Sequence, residues 1–213
     1  MSRLREPFNS LSHLIGAVLS AIVLLFFIIR GALIGNALFI IGATIFGVSL
    51  IALYTMSGLY HGLVVSAQKI ALMRKLDHTM IYVLIAGSYT PVCLLALDGL
   101  WRILFLSSIW AIAILGITAK WLWFNMPRKI YTMLYVIMGW LALVAIWPLY
   151  QNLSTLAFSM LVTGGIFYTV GAVIYAAKPK WVSTTHIGFH EWFHILILAG
   201  STSHVIMVTS LLS

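Results

Sequence analysis

Three histidines have a spacing suited to binding one metal ion. His190 and His194 are four positions apart, so on a helix they lie on one face, about 6 Å from each other. His61 ends an earlier apolar stretch and can supply a third nitrogen from another helix. Imidazole is a common zinc ligand, and three protein ligands with water in the fourth position are typical of catalytic zinc sites. The pattern therefore predicts a zinc site formed by His61, His190 and His194.

Two polar residues could complete this chemistry. Asp77 begins the third apolar stretch and could orient the water or act as its base. Ser57 lies one turn before His61 on the same face, where it could hydrogen-bond within the site or contact a substrate. A structural interpretation of each feature stays open: Asp77 would be favoured by the dipole at a helix N-terminus, and His190 and His194 could be two independent interfacial histidines.

The segment from His190 to His194 also matches the H-E-x-x-H motif, in which zincin proteases use the glutamate as general base. On a helix Glu191 is rotated about 100° away from His190, and a protease needs a path for a peptide strand, so we rank this hypothesis lower. His204 lies on the same helix face as His190 but further along the helix. There it could line a cavity, relay protons or pack in the core. Glu191 and His204 could support the ligands without binding the metal.

The composition indicates what kind of molecule positions these residues. Of the 213 residues 62% are hydrophobic and 8% are charged, and the mean hydropathy is +1.09, whereas a soluble domain has roughly 25% charged residues. This excludes a soluble enzyme, a nucleic-acid-binding module and a disordered tail. The single cysteine, Cys93, excludes an internal disulfide framework and a cysteine-rich metal site. We therefore expect an all-α integral membrane protein.

Seven stretches are long and apolar enough to cross a bilayer, which takes about 20 residues. They cover approximately residues 11–29, 36–60, 77–97, 102–122, 130–150, 155–177 and 186–212. The separators are short and none could divide two domains, so we expect one seven-helix transmembrane domain over residues 1–213, with a short cytoplasmic segment at 1–10. We interpret the first stretch as a retained span, because no small-residue cleavage site follows it directly.

The basic residues predict an orientation. Ten of the twelve Lys and Arg residues fall on the side of the N-terminus, and only Arg30 and Arg102 fall on the other side. Basic residues mark cytoplasmic loops, so we expect a cytoplasmic N-terminus and an outside C-terminus. The net charge of +8 then reflects topology, with no nucleic-acid partner. In this orientation six of the seven histidines lie near the cytoplasmic ends of the helices, which favours one shared site.

Several motifs together resemble one known family. They are NSLSHLIG at 9–16, SGLYH at 57–61, LDH at 76–78, IAGSYTP at 85–91, and HEWFH at 190–194 followed by Gly200, Ser201 and His204. Over essentially the whole chain, the sequence resembles the bacterial hemolysin III proteins. These belong to the progestin and adipoQ receptor superfamily, which includes the adiponectin receptors.

The resemblance implies seven helices with the N-terminus inside, and a zinc ion held by one histidine on the second helix and two on the seventh. In this chain those are His61, His190 and His194. It also implies that Asp77, with Ser57 beside it, contacts water at the zinc. Adiponectin receptors are thought to hydrolyse ceramide amide bonds, and bacterial members are named for haemolysis and linked to membrane-lipid homeostasis. A glutamate next to the first seventh-helix histidine is not a fixed feature of the family.

These observations favour a zinc-dependent intramembrane hydrolase that acts on a lipid amide or ester, with membrane lipids as partners. Two alternatives remain: a sensor or receptor-like regulator of membrane state with structural zinc, and a pore-forming cytolysin. We rank the cytolysin lower because the fourth to sixth stretches offer few polar side chains for a pore. Small residues could allow close helix contacts within the protein or in a homo-oligomer; they are Gly42, Gly47, Gly164 and Gly165.

Overall fold

The computed structural model describes residues 4–123, 126–184 and 187–212, and in these ranges the chain is helical with no strand. The helices are α1 (Pro7–Leu33), α2 (Ala37–Gly62), α3 (Ala67–Ala96), α4 (Gly99–Leu122), α5 (Arg128–Gly139), α6 (Ile146–Asn152), α7 (Thr155–Ala177) and α8 (Phe189–Ser210). A short 3-10 segment, Trp140–Ala145, joins α5 to α6, and another, Lys180–Val182, precedes α8. His186, the predicted start of the last stretch, lies outside the described residues.

Seven helical segments of the described chain are long and apolar enough to cross a membrane, with α5 and α6 counting as one segment, Arg128–Asn152. Large apolar side chains, such as Val18 and Leu115, remain more than half exposed on their outer faces, as expected of helices that contact lipid. The prediction of an all-α protein with seven membrane-spanning helices is therefore confirmed. The orientation of the termini stays a prediction that rests on the distribution of charge.

Two spans differ most from the predicted stretches. Helix α3 begins at Ala67 rather than at Asp77, because residues 67–76 are nearly all good helix formers. The fifth span is interrupted after Gly139. There the hydroxyl of Tyr89 donates to the Gly139 carbonyl at 2.6 Å and accepts from the Ala142 amide at 2.8 Å. A side chain from α3 thus inserts into the backbone hydrogen bonding of the fifth span.

Small residues let the helices approach closely. Helix α2 packs between α1 and α3, and α8 packs against α7 and α1. A Cβ added at Gly42 would lie 2.8 Å from the Cα of Pro91 on α3, and one at Gly47 would lie 2.9 Å from the side chain of Leu24 on α1. Gly164 faces His204 within the chain, whereas Gly165 has no atom near its would-be Cβ. Three of the four predicted close-contact glycines thus serve contacts inside this protein.

Candidate metal centre

The three histidines predicted from spacing converge in the structure. His61 lies in the last turn of α2, His190 in the first turn of α8 and His194 one turn later. One ligand nitrogen from each lies within 4.8 Å of the others, and among the described residues this is the one such group of metal-binding side chains. The Nε2 atoms of His61 and His190 are 3.3 Å apart. Two nitrogens bound tetrahedrally at 2.0–2.1 Å from zinc are separated by about 3.3 Å, so this pair already has a suitable spacing.

The N-terminal segment holds the end of α2 in place. The last carbonyls of a helix lack partners within the helix, and here the backbone amide of Glu6 donates to the His61 carbonyl at 2.9 Å. The amide of Arg5 likewise donates to the Gly62 carbonyl at 3.1 Å. The guanidinium of Arg5 donates to the carbonyl of Tyr60 at 2.5 Å. The segment therefore caps α2 and brings the side chain of Glu6 against His61.

Glu6 is a site residue that the sequence analysis missed. His61 Nδ1 donates to the carboxylate of Glu6 at 2.7 Å, which leaves Nε2 free to face His190. Metal-binding histidines commonly donate their other ring N–H to a carboxylate, which orients the ring and makes it a stronger ligand. Burial acts to raise the pKa of Glu6, but His61, the Asn9 amide and Arg5 outweigh it, so the pKa lies below its ordinary value and the carboxylate is ionised.

His13 also contacts the cluster. It is buried on α1, and its ring stacks on that of His194 with centroids 3.7 Å apart. Tyr54 meets the His13 ring edge-on at 5.0 Å. The His13 ring therefore forms a wall of the site and restricts the orientation of the His194 ring.

Asp77 and Ser57 lie in the wall of the cavity that contains the three histidines. His78 is satisfied elsewhere: its Nδ1 donates to the Arg74 carbonyl at 2.6 Å and its Nε2 accepts from the Tyr131 hydroxyl at 3.3 Å. These two hydrogen bonds indicate a structural role for His78.

Glu191 stabilises the start of α8 and does not join the histidine group. Its Oε2 accepts from the Gly188 amide at 2.9 Å and its Oε1 accepts from the Asn9 amide at 3.1 Å. The same amide group of Asn9 donates to Glu6 at 3.1 Å. Both oxygens of Glu191 are therefore used in a capping box and in a link to α1, which does not favour the general-base role of a protease.

His204 is distant from the three histidines but lines the same cavity. It follows His194 by ten residues, a rise of about 15 Å along the helix. Its Nε2 lies 3.4 Å from the Leu161 carbonyl, and its ring meets Tyr168 edge-on at 5.2 Å. The cavity has a volume of about 280 Å³, runs from the histidines to His204 between α2, α3, α5, α7 and α8, and has mainly apolar walls. An apolar chain fits such a space.

Fold and site together define a seven-helix membrane protein with a buried cluster of histidines at one end of a mainly apolar cavity. The family model described as Haemolysin-III related matches residues 1–205. The chain is 40% identical over 197 residues to Hemolysin-3 of Bacillus cereus, covering 92% of this chain and 86% of that protein. It is also 40% identical over 200 residues to the Hemolysin-3 homolog of Bacillus subtilis (strain 168), covering 93% and 90%. The chain belongs to the hemolysin III family.

Proposed function

We propose that this protein is a zinc-dependent hydrolase of the bacterial inner membrane that cleaves an amide or ester bond of a membrane lipid. The observation that carries the proposal is the convergence of three imidazoles with Asp77 at the polar end of an apolar cavity. Lipid substrates suit a site between helices, because they can enter sideways from the bilayer. The proposal includes the expected orientation, with the histidines near the cytoplasmic face, and a single transmembrane domain.

The donor set fits a zinc ion. Three neutral imidazole nitrogens are ordinary zinc ligands, and the carboxylate of Glu6 behind His61 supplies the supporting hydrogen bond usual at such sites. His61, His190 and His194 would hold the zinc ion, which would supply acidification of a bound water and polarisation of the substrate carbonyl. A set of three protein ligands is typical of catalytic rather than structural zinc sites.

The side chains of the protein handle the proton and exclude bulk water. Asp77, which lines the same cavity wall as Ser57, accepts the proton of the attacking water as the water oxygen bonds to the carbonyl carbon. The carbon–nitrogen or carbon–oxygen bond then breaks, and Asp77 returns the proton to the departing amine or alkoxide. The apolar walls hold the acyl chain and keep other water from the reacting atoms.

The experiment measures turnover by the purified full chain, loaded with zinc, against a panel of ceramides, N-acyl amides and glycerol esters. We expect hydrolysis of at least one class, and loss of that activity in His194→Ala. Asp77→Asn should keep the zinc and lose activity, because it removes only the group that accepts the proton. Asp98→Asn is the matched control, since Asp98 is exposed and pairs with Arg102. A zinc-loaded protein that hydrolyses none of these lipids contradicts the proposal.

The closest alternative is a regulator of membrane state in which zinc is structural. It is favoured by the way the cluster joins three helices, because His61 on α2 and His194 on α8 both contact residues of the α1 region. This alternative predicts that His61→Ala and His194→Ala lower the melting temperature while the wild type shows no turnover. The names of the two relatives support a cytolytic function instead, which conductance of the wild type in planar bilayers at low dose would reveal.

A further inference from the structure

A second pocket, of about 420 Å³, opens beside the histidine cluster, and its walls are mainly polar. We call it the basic pocket, because four cationic side chains line it: Arg74, Lys75, Lys120 and Arg128. They come from three helices, α3, α4 and α5. Distant parts of the sequence therefore bring positive charge to one cavity.

Lys120 is the most informative of these cations. Only 8% of its surface is exposed, and its ammonium group lies over the ring of Tyr131, 4.0 Å from the centroid. Arg74 and Lys75, which line the same pocket, are also positive. None of the four ion pairs found among the described residues includes Lys120. Burying a cation without a counter-charge costs free energy. An anionic ligand beside Lys120 would lower that cost.

The two acids in the wall of the pocket already have other partners. Glu6 forms ion pairs with Arg5 and His61. Asp77 lies 3.5 Å from His78 Nδ1. Four cationic side chains against two acids leave the wall of the pocket with an excess of positive charge.

The basic pocket and the apolar cavity meet at the metal centre. The residues that line both are His61, Asp77, His78, Tyr175 and His190. A molecule with an anionic group at one end and an apolar chain at the other could therefore occupy both spaces and place the bond between them at the histidines.

We infer that the basic pocket binds a phosphate group, supplied by the headgroup of a phospholipid or by free phosphate. Phosphate suits the pocket because arginine and lysine donate charge-assisted hydrogen bonds to its oxygens. The further statement that the hydrolysed lipid carries this phosphate rests on the proposed function. Phosphate binding itself does not depend on hydrolysis.

The test is calorimetric titration of the purified full chain in an uncharged detergent with three probes. These are inorganic phosphate, dihexanoyl phosphatidate, and dihexanoylglycerol, which has the same chains and no phosphate. Lys120→Gln removes the buried charge and Lys120→Arg keeps it. The matched control is Lys129→Gln, because Lys129 is exposed, lies next to Arg128 in sequence and is not among the described residues that line the pocket.

We expect the wild type to bind phosphatidate and not dihexanoylglycerol, and Lys120→Gln to weaken binding about tenfold to a hundredfold. Lys120→Arg and Lys129→Gln should stay close to the wild type. Binding of phosphatidate alone assigns the lipid headgroup as ligand, and comparable binding of inorganic phosphate assigns free phosphate. If Lys120→Gln does not fold, Arg74→Gln at an exposed position of the pocket provides the same test.

The inference is overturned if the folded wild type binds neither phosphate probe. It is equally overturned if Lys129→Gln weakens binding as much as Lys120→Gln, because a general surface charge then explains the result. Phosphate binding without hydrolysis of any lipid contradicts the proposed function alone. Hydrolysis of neutral lipids without phosphate binding contradicts this inference alone.

Discussion

The carboxylate of Glu6 offers a sharp test of the geometry around the proposed metal ion. Glu6→Gln keeps the size of the side chain and an oxygen acceptor for His61 Nδ1, but it removes the negative charge at 2.7 Å from the ring. Loss of such a supporting partner typically weakens metal binding about 10- to 100-fold, equivalent to about 1.4–2.8 kcal/mol. We therefore expect the zinc dissociation constant of Glu6→Gln to rise by that factor, with the stoichiometry unchanged.

The measurement is competition for zinc between the purified protein and a chromophoric chelator. Asp98→Asn is the matched control, because it also removes one carboxylate, but from a residue whose side chain is 88% exposed and pairs with Arg102. We expect its zinc affinity to equal that of the wild type. The reasoning is refuted if Glu6→Gln binds zinc within about twofold of the wild type, far less than the 10-fold loss expected, or if both variants lose affinity equally.

Three other substitutions test the role of Glu191 and the close packing at glycines. Glu191→Gln weakens the cap of α8, so we expect the free energy of unfolding to fall by about 1 kcal/mol and the zinc content to stay the same. If the folded, zinc-loaded variant instead loses all lipid turnover, the general-base hypothesis for Glu191 is restored. Gly42→Ala places a Cβ 2.8 Å from the Cα of Pro91, and overpacking of this kind costs about 1–3 kcal/mol. Gly165→Ala meets open space and should leave the melting temperature unchanged or raise it, so equal melting temperatures for the two variants would contradict the close packing of α2 on α3.

The features that local sequence determines were predictable. Runs of about 20 apolar residues have few alternatives to a membrane-spanning helix, and the four-residue spacing of His190 and His194 places them on one face wherever the helix lies. The position of His61 followed from its place at the end of a stretch. These three inferences need only helix geometry and the alternation of spans.

Features that depend on long-range contacts were not predictable from spacing. Glu6 and His61 are 55 residues apart, and their contact forms because the N-terminal segment folds back to cap α2. His13 reaches His194 only because α1 packs against α8. The sequence contains only four acids in 213 residues. This scarcity was the one feature of the sequence that could have drawn attention to Glu6. Likewise, the break after Gly139 depends on the hydroxyl of Tyr89 from another helix.

The most direct test of the account is the metal content of the purified protein. Elemental analysis of the wild type after zinc loading and removal of excess metal should find about one zinc ion per chain, since three or four ligands bind one ion. His61→Ala and His194→Ala should fall towards none, while His204→Ala, altered about 15 Å further along α8, should match the wild type. A folded wild type without zinc, or a His61→Ala variant with full zinc content, would contradict the claim that these histidines hold a metal ion.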